Sequence, residues 1–445
     1  MLPLLQLIAL LLPFIFISSF SAALAHNHDD PAIRTMEAFS GYPVHEPSPH
    51  GFSNPITSLS VDADTLVKQI EELSTFSDSP APSVTRILYT EKDVLARRDG
   101  SEPDLPAVAT GSHADAIPFS GKYDGVVGVL GALEAINVLK RSGFKPKRSL
   151  EIIFFTSEEP TRFGISCLGS RLLAGSDALA KALETTVDGQ NISFISAASS
   201  AGYLTDPARI STVFLKKGSY SAFLELHIEQ GPILEEEGIS IGVVTAIAAP
   251  ASLKVEFEGT GGHAGAVLMP YRAPLLLSQF DNENFDASRN DAGLAAAELA
   301  LAVEKHVLDS GSIDTVGTVD TRDIDEERRN IVIKKIHESA NEISKRRQVK
   351  LSEFKIINQD PPAHSDKSIV EAMVSAAKDL NLSHKLMISR AYHDSLFMAR
   401  VSPMGMIFIP CYKGYSHKPE EFASPMDMSN GVKVLALTLA KLSLQ

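Results

Sequence analysis

Apolar residues along the chain alternate between continuous runs of strand length and stretches with helical spacing. The segments LPAVATG, SLEIIFFTS, YSAFLELHIEQG and MGMIFIPC are nearly continuous apolar runs, which is typical of strands covered on both faces. Between them, apolar residues recur three and four positions apart, as after Gly125 and from Ile369 to Leu380, and this spacing predicts helices. Strands that alternate with helices predict an α/β domain with a mainly parallel sheet.

The pattern changes between residues 250 and 360. ASLKVEFEG alternates with a period of two, which predicts a half-exposed strand. A helical segment, the strand-like IDTVGTVDTRD, a charged helix and the strand-like LSEFKIIN follow it. We therefore predict a main domain of residues 61–249 and 361–445, interrupted by a smaller α+β lid domain of residues 250–360.

The first 25 residues are almost wholly apolar and end in Ala23-Leu24-Ala25, the pattern of a cleaved secretory signal peptide. A retained signal anchor is the alternative, because the segment carries no Lys or Arg. Residues 26–60 are rich in Pro, Ser and His without periodicity, which predicts a loose leader. The sequons at Asn191 and Asn381 fit passage through the endoplasmic reticulum. We expect a protein of the endoplasmic reticulum or secretory pathway, without a membrane segment after cleavage.

Composition narrows the classes of function. The length of 445 residues predicts two domains rather than one. The formal net charge of −14 argues against a nucleic-acid partner, because phosphate binding needs clustered Lys and Arg. The two cysteines, Cys167 and Cys411, are too few for a disulfide scaffold, and without a C-x-x-C motif they exclude a zinc ribbon.

Polar side chains follow four of the predicted strands. They are His113 with Asp115, Glu158 with Glu159, His227 close to Gln230, and His417. Asp124 lies at the predicted start of a helix, where the helix dipole stabilises a carboxylate. Each feature alone has an ordinary explanation as a satisfied polar residue, a solvated helix start or a turn. Open α/β sheets bind ligands at the carboxyl ends of their strands, so the convergence of four such features favours a common site.

The adjacent carboxylates of Glu158 and Glu159 at the mouth of a buried strand suggest a metal site. Burying both is costly unless a cation or a proton offsets their charge. Mixed His and carboxylate ligands suit zinc, manganese or related divalent ions. A bridging carboxylate can hold two ions roughly 3.5–4 Å apart, and such a pair lowers the pKa of a shared water from about 16 towards 7. One glutamate would then bind metal and the other would transfer protons.

The segments GSHADAIPFSGKYDGVVGV, FTSEEPTRFG, LHIEQGP, GGHAG and GYSHKPEE together resemble the di-metal amidohydrolases of the M20 peptidase group. Within that group they are similar to the ureide and carbamoyl branch, and SEEPTRFGISCLGSRLLAG and GHAGAVLMPYR most resemble its plant members that act on ureidoglycolate. The resemblance covers nearly all of the chain after the leader. It implies an M20-type catalytic domain and hydrolysis of (S)-ureidoglycolate to glyoxylate, ammonia and CO2. Hydrolysis of allantoate or of an N-carbamoyl amino acid at the same metal site is the alternative.

The resemblance also implies two divalent ions per subunit, with Mn²⁺ the leading assignment and Zn²⁺ an alternative, and a homodimer. Five ligands are implied: His113 and His227 for one ion, Glu159 and His417 for the other, and Asp124 between them. Glu158 would activate the water, and Asp115 would orient the His113 ring.

Substrate contacts are implied for five residues. They are Gln230, Tyr392, His393 and, in the lid, His263 and Arg322. His263 would polarise the scissile carbonyl or its oxyanion, and Arg322 would clamp the substrate carboxylate through a two-pronged pairing.

The lid departs from the family pattern in two places. The segment of residues 273–289 intervenes as an extra loop, and TVGTV runs directly into DTRD, so that a hairpin is missing near residues 319–320. A one-residue slip turns a strand side chain to the opposite face, which affects the position of Arg322. Because the five metal ligands and Glu158 lie elsewhere, we expect intact metal binding and reduced turnover. The alternative of another class is a catalytically impaired metal-binding chain that pairs with full-length subunits.

Overall fold

A computed structural model describes residues 54–56, 58–86, 96–98, 100–202, 207–260, 290–310 and 320–445. The predicted signal peptide, most of the leader, His263 and the insertion at residues 273–289 lie outside these residues. No helix in this part of the chain has the length and apolar character needed to cross a membrane.

The chain divides into two compact units. The larger unit takes its described residues from 41–254, 320–331 and 355–445, and those of the smaller unit are 255–260, 290–310 and 332–354. Residues 320–331, which the sequence analysis assigns to the lid, therefore belong to the larger unit.

Strands and helices alternate through most of the described chain. The strands are β1 (Val84–Arg86), β2 (Ala96–Arg98), β3 (Ala107–His113), β4 (Ala116–Ser120), β5 (Leu150–Phe155), β6 (Tyr220–Ile228), β7 (Ile241–Ile247), β8 (Ala249–Glu258), β9 (Asp320–Asp323), β10 (Lys350–Gln359), β11 (Ala363–His364), β12 (His384–Ser389) and β13 (Met404–Ile409). The α-helices are α1 (Ala63–Ser74), α2 (Val126–Arg141), α3 (Leu168–Leu173), α4 (Asp177–Leu183), α5 (Phe194–Ser200), α6 (Ile233–Glu237), α7 (Ala292–Ser310), α8 (Glu326–Arg346), α9 (Lys367–Asp379), α10 (Asp394–Met398) and α11 (Pro425–Ser443). Short 3-10 helices span Pro207–Val213 and Tyr412–Gly414.

An eight-stranded sheet forms the centre of the larger unit. Its order is β11-β7-β13-β6-β3-β5-β2, and β12 also pairs with β7. The central strands β13, β6, β3 and β5 are parallel neighbours, whereas β7 runs antiparallel to β13 and β2 antiparallel to β5. Every residue of β3 is buried, as its continuous apolar run predicts. The predicted mainly parallel α/β sheet is confirmed.

Helices cover the sheet on both faces. One apolar cluster joins α1, α2, α9 and α11 to the sheet through side chains such as Leu66, Leu139 and Leu226. A second cluster, on β6, β13 and α10, includes Phe223, Phe397 and Phe408. Full burial of side chains of this size stabilises the fold by roughly 1.5–3 kcal/mol each, so both clusters make the sheet a rigid support for residues at its edge.

In the smaller unit α7 packs through one face. Its buried side chains recur every four residues and are Ala295, Leu299, Val303 and Val307. Glu298 accepts hydrogen bonds from Arg346, the last residue of α8, and from Arg347, which follows it. Three leucines seven residues apart on α7 are exposed, namely Leu294 at 39%, Leu301 at 67% and Leu308 at 64%. This exposed apolar row is called the leucine stripe below.

Strands β10, β8 and β9 form a separate three-stranded sheet in that order. Strand β9 has four residues and pairs antiparallel with Ala249–Ser252 of β8, which sets Arg322 opposite Pro250. The rest of the predicted strand that precedes β9 lies outside the described residues. Arg322 is thus fixed on a short strand within the larger unit.

Candidate active site

The predicted site residues of the larger unit gather at the carboxyl ends of central strands. His113 is the last residue of β3, Glu158 and Glu159 follow β5, and His227 is the second-last residue of β6. The parallel register pairs His113 with Phe155 and His227 with Phe408, which brings these strand ends level. Neighbouring parallel strands end at the same edge of the sheet, so residues more than a hundred positions apart meet there.

Asp124 reaches this edge from the turn before α2. Gly125, the first residue after it, has φ +64°, a conformation that favours glycine. A Cβ at Gly125 would lie 2.4 Å from the Nε2 atom of His113, so a side chain there would collide with the imidazole. The Gly125 amide also donates a hydrogen bond to the Nε2 atom of His227 at 3.2 Å.

The two oxygens of the Asp124 carboxylate face different histidines. Oδ1 lies 3.1 Å from the Nε2 atom of His227 and 3.5 Å from that of His113. Oδ2 lies 3.4 Å from the Nε2 atom of His417, which in turn lies 3.1 Å from Oε1 of Glu159. Ligand atoms within 4.8 Å of one another form three sets among the described residues, of which Glu225 with His227 and His393 is one. The other two are His113 with Asp124 and His227, and Asp124 with Glu159 and His417. Asp124 belongs to both.

The ring orientation of two histidines fits a cation. Nδ1 of His113 lies 3.2 Å from the carbonyl oxygen of Asp115, and Nδ1 of His227 lies 2.9 Å from that of Ile228. With a proton on each Nδ1, both Nε2 atoms direct lone pairs towards the Asp124 carboxylate. Two acceptors in contact repel unless a proton or a metal ion lies between them. The donor set therefore fits divalent cations.

Asp115 contacts both the His113 ring and the loop after β5. Its backbone carbonyl is the hydrogen-bond acceptor for the His113 ring, while its carboxylate Oδ1 is 3.6 Å from Nδ1. The carboxylate also accepts hydrogen bonds from the backbone amides of Glu158 at 3.2 Å and Glu159 at 3.0 Å. Asp115 thus links the loop after β3 to the glutamate pair after β5.

Glu158 is buried, with 7% of its surface exposed, and belongs to neither cation set. Its Oε1 accepts a hydrogen bond from the Cys167 thiol at 3.1 Å. Its Oε2 lies 3.9 Å from Nε2 of His113. Burial raises the pKa of Glu158 well above its usual value, although the charge of His113 opposes this. A carboxyl group whose pKa is raised in this way is suited to general acid–base transfer.

The histidines carry raised pKa values because the site is rich in buried acid. The hydrogen bond to Glu159 raises the pKa of His417 to about 9. Burial lowers the pKa of His113 and of His227, but hydrogen bonds to Asp115 and Asp124 for His113, and to Asp124 for His227, outweigh it and raise both values. Without metal, protons on these three imidazoles therefore supply the positive charge that bound metal ions would otherwise supply.

Of the five predicted substrate contacts, the structure brings Gln230 and His393 to the cluster. Nε2 of Gln230 donates to Oδ2 of Asp124 at 2.7 Å, and its Oε1 has no hydrogen-bond partner among the described residues. The ring of His393 contacts that of His227 with centroids 4.6 Å apart. Burial, and then the charge of His227, lowers the pKa of His393 well below its usual value, so this imidazole is neutral.

Tyr392, by contrast, directs its hydroxyl group to another partner, Asp360. This hydroxyl donates to the Asp360 carboxylate at 3.1 Å. The same carboxylate accepts hydrogen bonds from both terminal nitrogens of Arg171, at 3.1 and 2.7 Å, and from one terminal nitrogen of Arg400 at 2.9 Å. Arg322 donates to the backbone carbonyl of Arg390, and its charge contributes to the lowered pKa of His393. His263 lies outside the described residues.

Sequence reasoning missed several residues that contact this site. Ser416 donates to Oδ2 of Asp124 at 2.6 Å, and Cys167 contacts Glu158. Glu225, on the same face of β6 as His227, accepts hydrogen bonds from Ser112 and Ser395 and so serves to hold α10. Residue type alone gave no signal for these contacts, although Ser416 directly precedes His417 in the GYSHKPEE segment.

The chain is similar to known proteins over almost its full length. The profile of Peptidase family M20/M25/M40 matches residues 109–441. The ureidoglycolate hydrolase of Arabidopsis thaliana is 68% identical, with 99% of this chain and 97% of that protein covered. The ureidoglycolate hydrolase of Oryza sativa subsp. japonica is 65% identical, with 92% and 91% covered.

Solved structures agree with this similarity. The crystal structure of AtUAH in complex with (S)-hydroxyglycine has a TM-score of 0.79 at 69% identity and covers 87% of this chain and 99% of that chain. The crystal structure of AtUAH in complex with glyoxylate gives the same TM-score at 68% identity with the same coverage. The Arabidopsis alignment spans 488 positions, more than the 445 residues of this chain, so it includes positions at which this chain has no residue. From the matched profile and the full-length similarity, the chain belongs to Peptidase family M20/M25/M40.

Proposed function

We propose that this chain is a metal-dependent amidohydrolase that converts (S)-ureidoglycolate to glyoxylate, ammonia and CO2. The observation that carries the proposal is the Asp124 carboxylate, which offers one oxygen to His113 and His227 and the other to His417 beside Glu159. The buried carboxyl group of Glu158 lies 3.9 Å from Nε2 of His113 without belonging to either set. The substrate follows from similar plant proteins named ureidoglycolate hydrolase and from the (S)-hydroxyglycine bound in a similar structure.

The reaction balances with one water. Water adds to the ureido carbonyl, the terminal C–N bond breaks, and ammonia leaves with one of the water protons. The carbamate that remains loses CO2 to give hydroxyglycine. Hydroxyglycine then releases a second ammonia and becomes glyoxylate.

Glu158 would move the protons in this sequence. Its Oε1 is engaged by the Cys167 thiol, so Oε2 is the oxygen that accepts the proton from water and returns it to the leaving nitrogen. General acid–base transfer of this kind contributes about 10²–10⁴ in rate. When bound, two divalent ions would polarise the ureido carbonyl and lower the pKa of the attacking water. We assign Mn²⁺ to this role, because the set combines imidazole with carboxylate ligands, and Zn²⁺ is the alternative.

Substrate binding would use groups at the rim of the metal site. Gln230 has a buried carbonyl oxygen without a hydrogen-bond partner among the described residues, which suits a ureido N–H donor. Arg322 would pair with the carboxylate of the substrate. His263 of the GGHAG segment would stabilise the oxyanion. The Tyr392 hydroxyl, which is bound to Asp360, would position its neighbour His393 rather than contact substrate.

The protein would act as a homodimer. The leucine stripe places three exposed leucines, Leu294, Leu301 and Leu308, along one face of α7. Large apolar side chains grouped on one helix face commonly mark an interaction surface. A second copy of the chain, carrying the same row, would cover it.

We also propose that the chain enters the secretory pathway and is located in the endoplasmic reticulum. The apolar segment of residues 1–25 would be the signal. Asn191 and Asn381 are both exposed, so both sequons are accessible to glycosylation. A fluorescent fusion with the full chain should overlap an endoplasmic-reticulum marker and become sensitive to endoglycosidase H. A fusion without residues 1–25 serves as the control, and identical distribution of the two would contradict the proposal.

A substrate panel tests the proposed activity. The purified chain without residues 1–25 is loaded with Mn²⁺, and ammonia release is measured with ureidoglycolate, allantoate and an N-carbamoyl amino acid, together with the metal content. We expect two ions per subunit and the highest kcat/KM on ureidoglycolate. Preference for another substrate would reassign the activity within the family. Two bound ions without turnover would instead support the impaired metal-binding chain that the altered lid suggests.

A further inference from the structure

Glu421 connects two loops of the metal site although no cation set includes it. It lies four residues after His417, and its surface is only 3% exposed. Its Oε1 accepts the backbone amides of Tyr123 at 2.7 Å and Asp124 at 2.9 Å. Its Oε2 is buried without a hydrogen-bond partner among the described residues. One carboxylate oxygen thus holds the backbone of the residue shared by both cation sets.

The contact between the two loops is closely packed. A Cβ at Gly121 would lie 2.4 Å from the Cβ of Glu421 and 2.5 Å from its Oε1, so the loop before Asp124 comes this close because residue 121 lacks a side chain. The rings of Tyr123 and Phe422 also meet edge to face, with centroids 5.7 Å apart. Residues 121–124 therefore pack against residues 421–422 as a unit.

The same loop carries His417 to the site. His417 has φ +60°, in the left-handed region, and 47% of its side chain is exposed. His113 and His227, by contrast, lie on central strands with 2% and 1% exposed. A residue held in an unfavourable backbone region persists only when its surroundings fix it. The position of His417 thus depends on how its loop is anchored, whereas the other two imidazoles are fixed by the sheet.

We propose that Glu421 is a positioning residue that fixes the His417 loop to the Asp124 loop and so selectively maintains the cation set of Asp124, Glu159 and His417. The inference rests on the proposed function, since it requires that both sets bind metal. The set of His113, Asp124 and His227 depends on Glu421 only through Asp124. Asp124 also accepts a hydrogen bond from Gln230, and the amide of the following Gly125 donates to Nε2 of His227. Removing the Glu421 carboxylate therefore affects one ion far more than the other.

Stepwise metal binding tests this inference. Metal-free protein is titrated with Mn²⁺ by isothermal calorimetry, and bound metal is counted after gel filtration. Residues that support metal ligands typically contribute 10–100-fold in affinity. We expect Glu421→Ala to weaken one of the two ions by about that factor and to leave the other within about threefold. Glu421→Gln keeps an oxygen that can accept both amides and should restore two-ion binding, while Glu420→Ala, at the exposed neighbouring acid, is the matched control.

Each outcome decides between distinct explanations. Equal weakening of both ions, unchanged binding in Glu421→Ala, or failure of Glu421→Gln to restore binding overturns the inference and leaves the two-ion site intact. If Glu421→Ala does not fold, Glu421→Asp, which retracts the carboxylate by one methylene, replaces it with the same expected selective loss. A wild-type chain that binds fewer than two ions contradicts the proposed function itself, and the inference falls with it.

Discussion

Replacement of Glu158 by glutamine isolates proton transfer from metal binding. Glutamine has nearly the same shape, and an amide oxygen can still accept the thiol of Cys167 in place of Oε1. The amide nitrogen that replaces Oε2 cannot take a proton from water. General acid–base transfer is worth about 10²–10⁴ in rate, and each factor of ten equals about 1.4 kcal/mol. We therefore expect kcat to fall by about 10²–10⁴, a barrier increase of about 3–5 kcal/mol.

Metal binding should survive this change. Glu158 is absent from both cation sets, and its backbone is held independently through the Asp115 carboxylate. The matched control is Glu229→Gln, which makes the same substitution at a carboxylate that is also 7% exposed. Glu229 follows β6 and caps α6 by accepting the amides of Ile233 and Leu234, so its variant should lose stability rather than turnover.

The assay for both variants measures ammonia release from ureidoglycolate, metal content and thermal unfolding. A Glu158→Gln protein that keeps more than about a tenth of wild-type kcat would refute the assignment of Glu158 as the proton-transferring group. Loss of bound metal in that variant would refute the separation of Glu158 from the ligand sets. A comparable loss of kcat in Glu229→Gln would attribute the effect to general disturbance of the buried acids.

Three further predictions address charge, anchoring and association. Because His113, His227 and His417 have raised pKa values, the last about 9, Mn²⁺ must displace protons. The affinity for Mn²⁺ should therefore increase from about pH 6.5 to 9, and the released protons should make the calorimetric binding enthalpy depend on the buffer. An affinity that is independent of pH would contradict this. By linkage, the metal-free fold has the stability from protonated His417 in full below about pH 6.5 and loses it as pH rises through about 9. Asp360→Asn leaves Arg171 and Arg400 without their shared carboxylate and should lower the free energy of unfolding in urea by about 3 kcal/mol. A decrease below about 1 kcal/mol would contradict a stabilising role for these ion pairs. Leu301→Glu should convert the dimer to monomer in light scattering, and an unchanged mass would exclude the leucine stripe as the interface.

The sequence by itself predicted the elements, and its resemblance to the M20 group implied the membership of the cation sets. Helix α1 begins after Asp62, whose side chain accepts the Thr65 amide, and α11 begins after Ser424, whose side chain accepts the Asp427 amide. Helix starts of this kind depend only on a few neighbouring residues. The same holds for the apolar sequences of strands β3, β5 and β13. Hydrophobic periodicity records such properties directly. The gathering of His113, Glu159, His227 and His417 followed from strand ends meeting at one edge of the sheet. Asp124 reaches that edge from the turn before α2.

Only the tertiary structure decided which atoms support that site. The carbonyl of Asp115 lies closer to the His113 ring than its carboxylate does, Tyr392 binds Asp360, and Glu421 holds Asp124 from nearly 300 residues away in sequence. Such pairs depend on where loops cross and on space as small as the missing side chain of Gly121. Periodicity cannot encode them, because a hydrogen bond across two loops depends on distances that arise only when the whole sheet and its helices have packed.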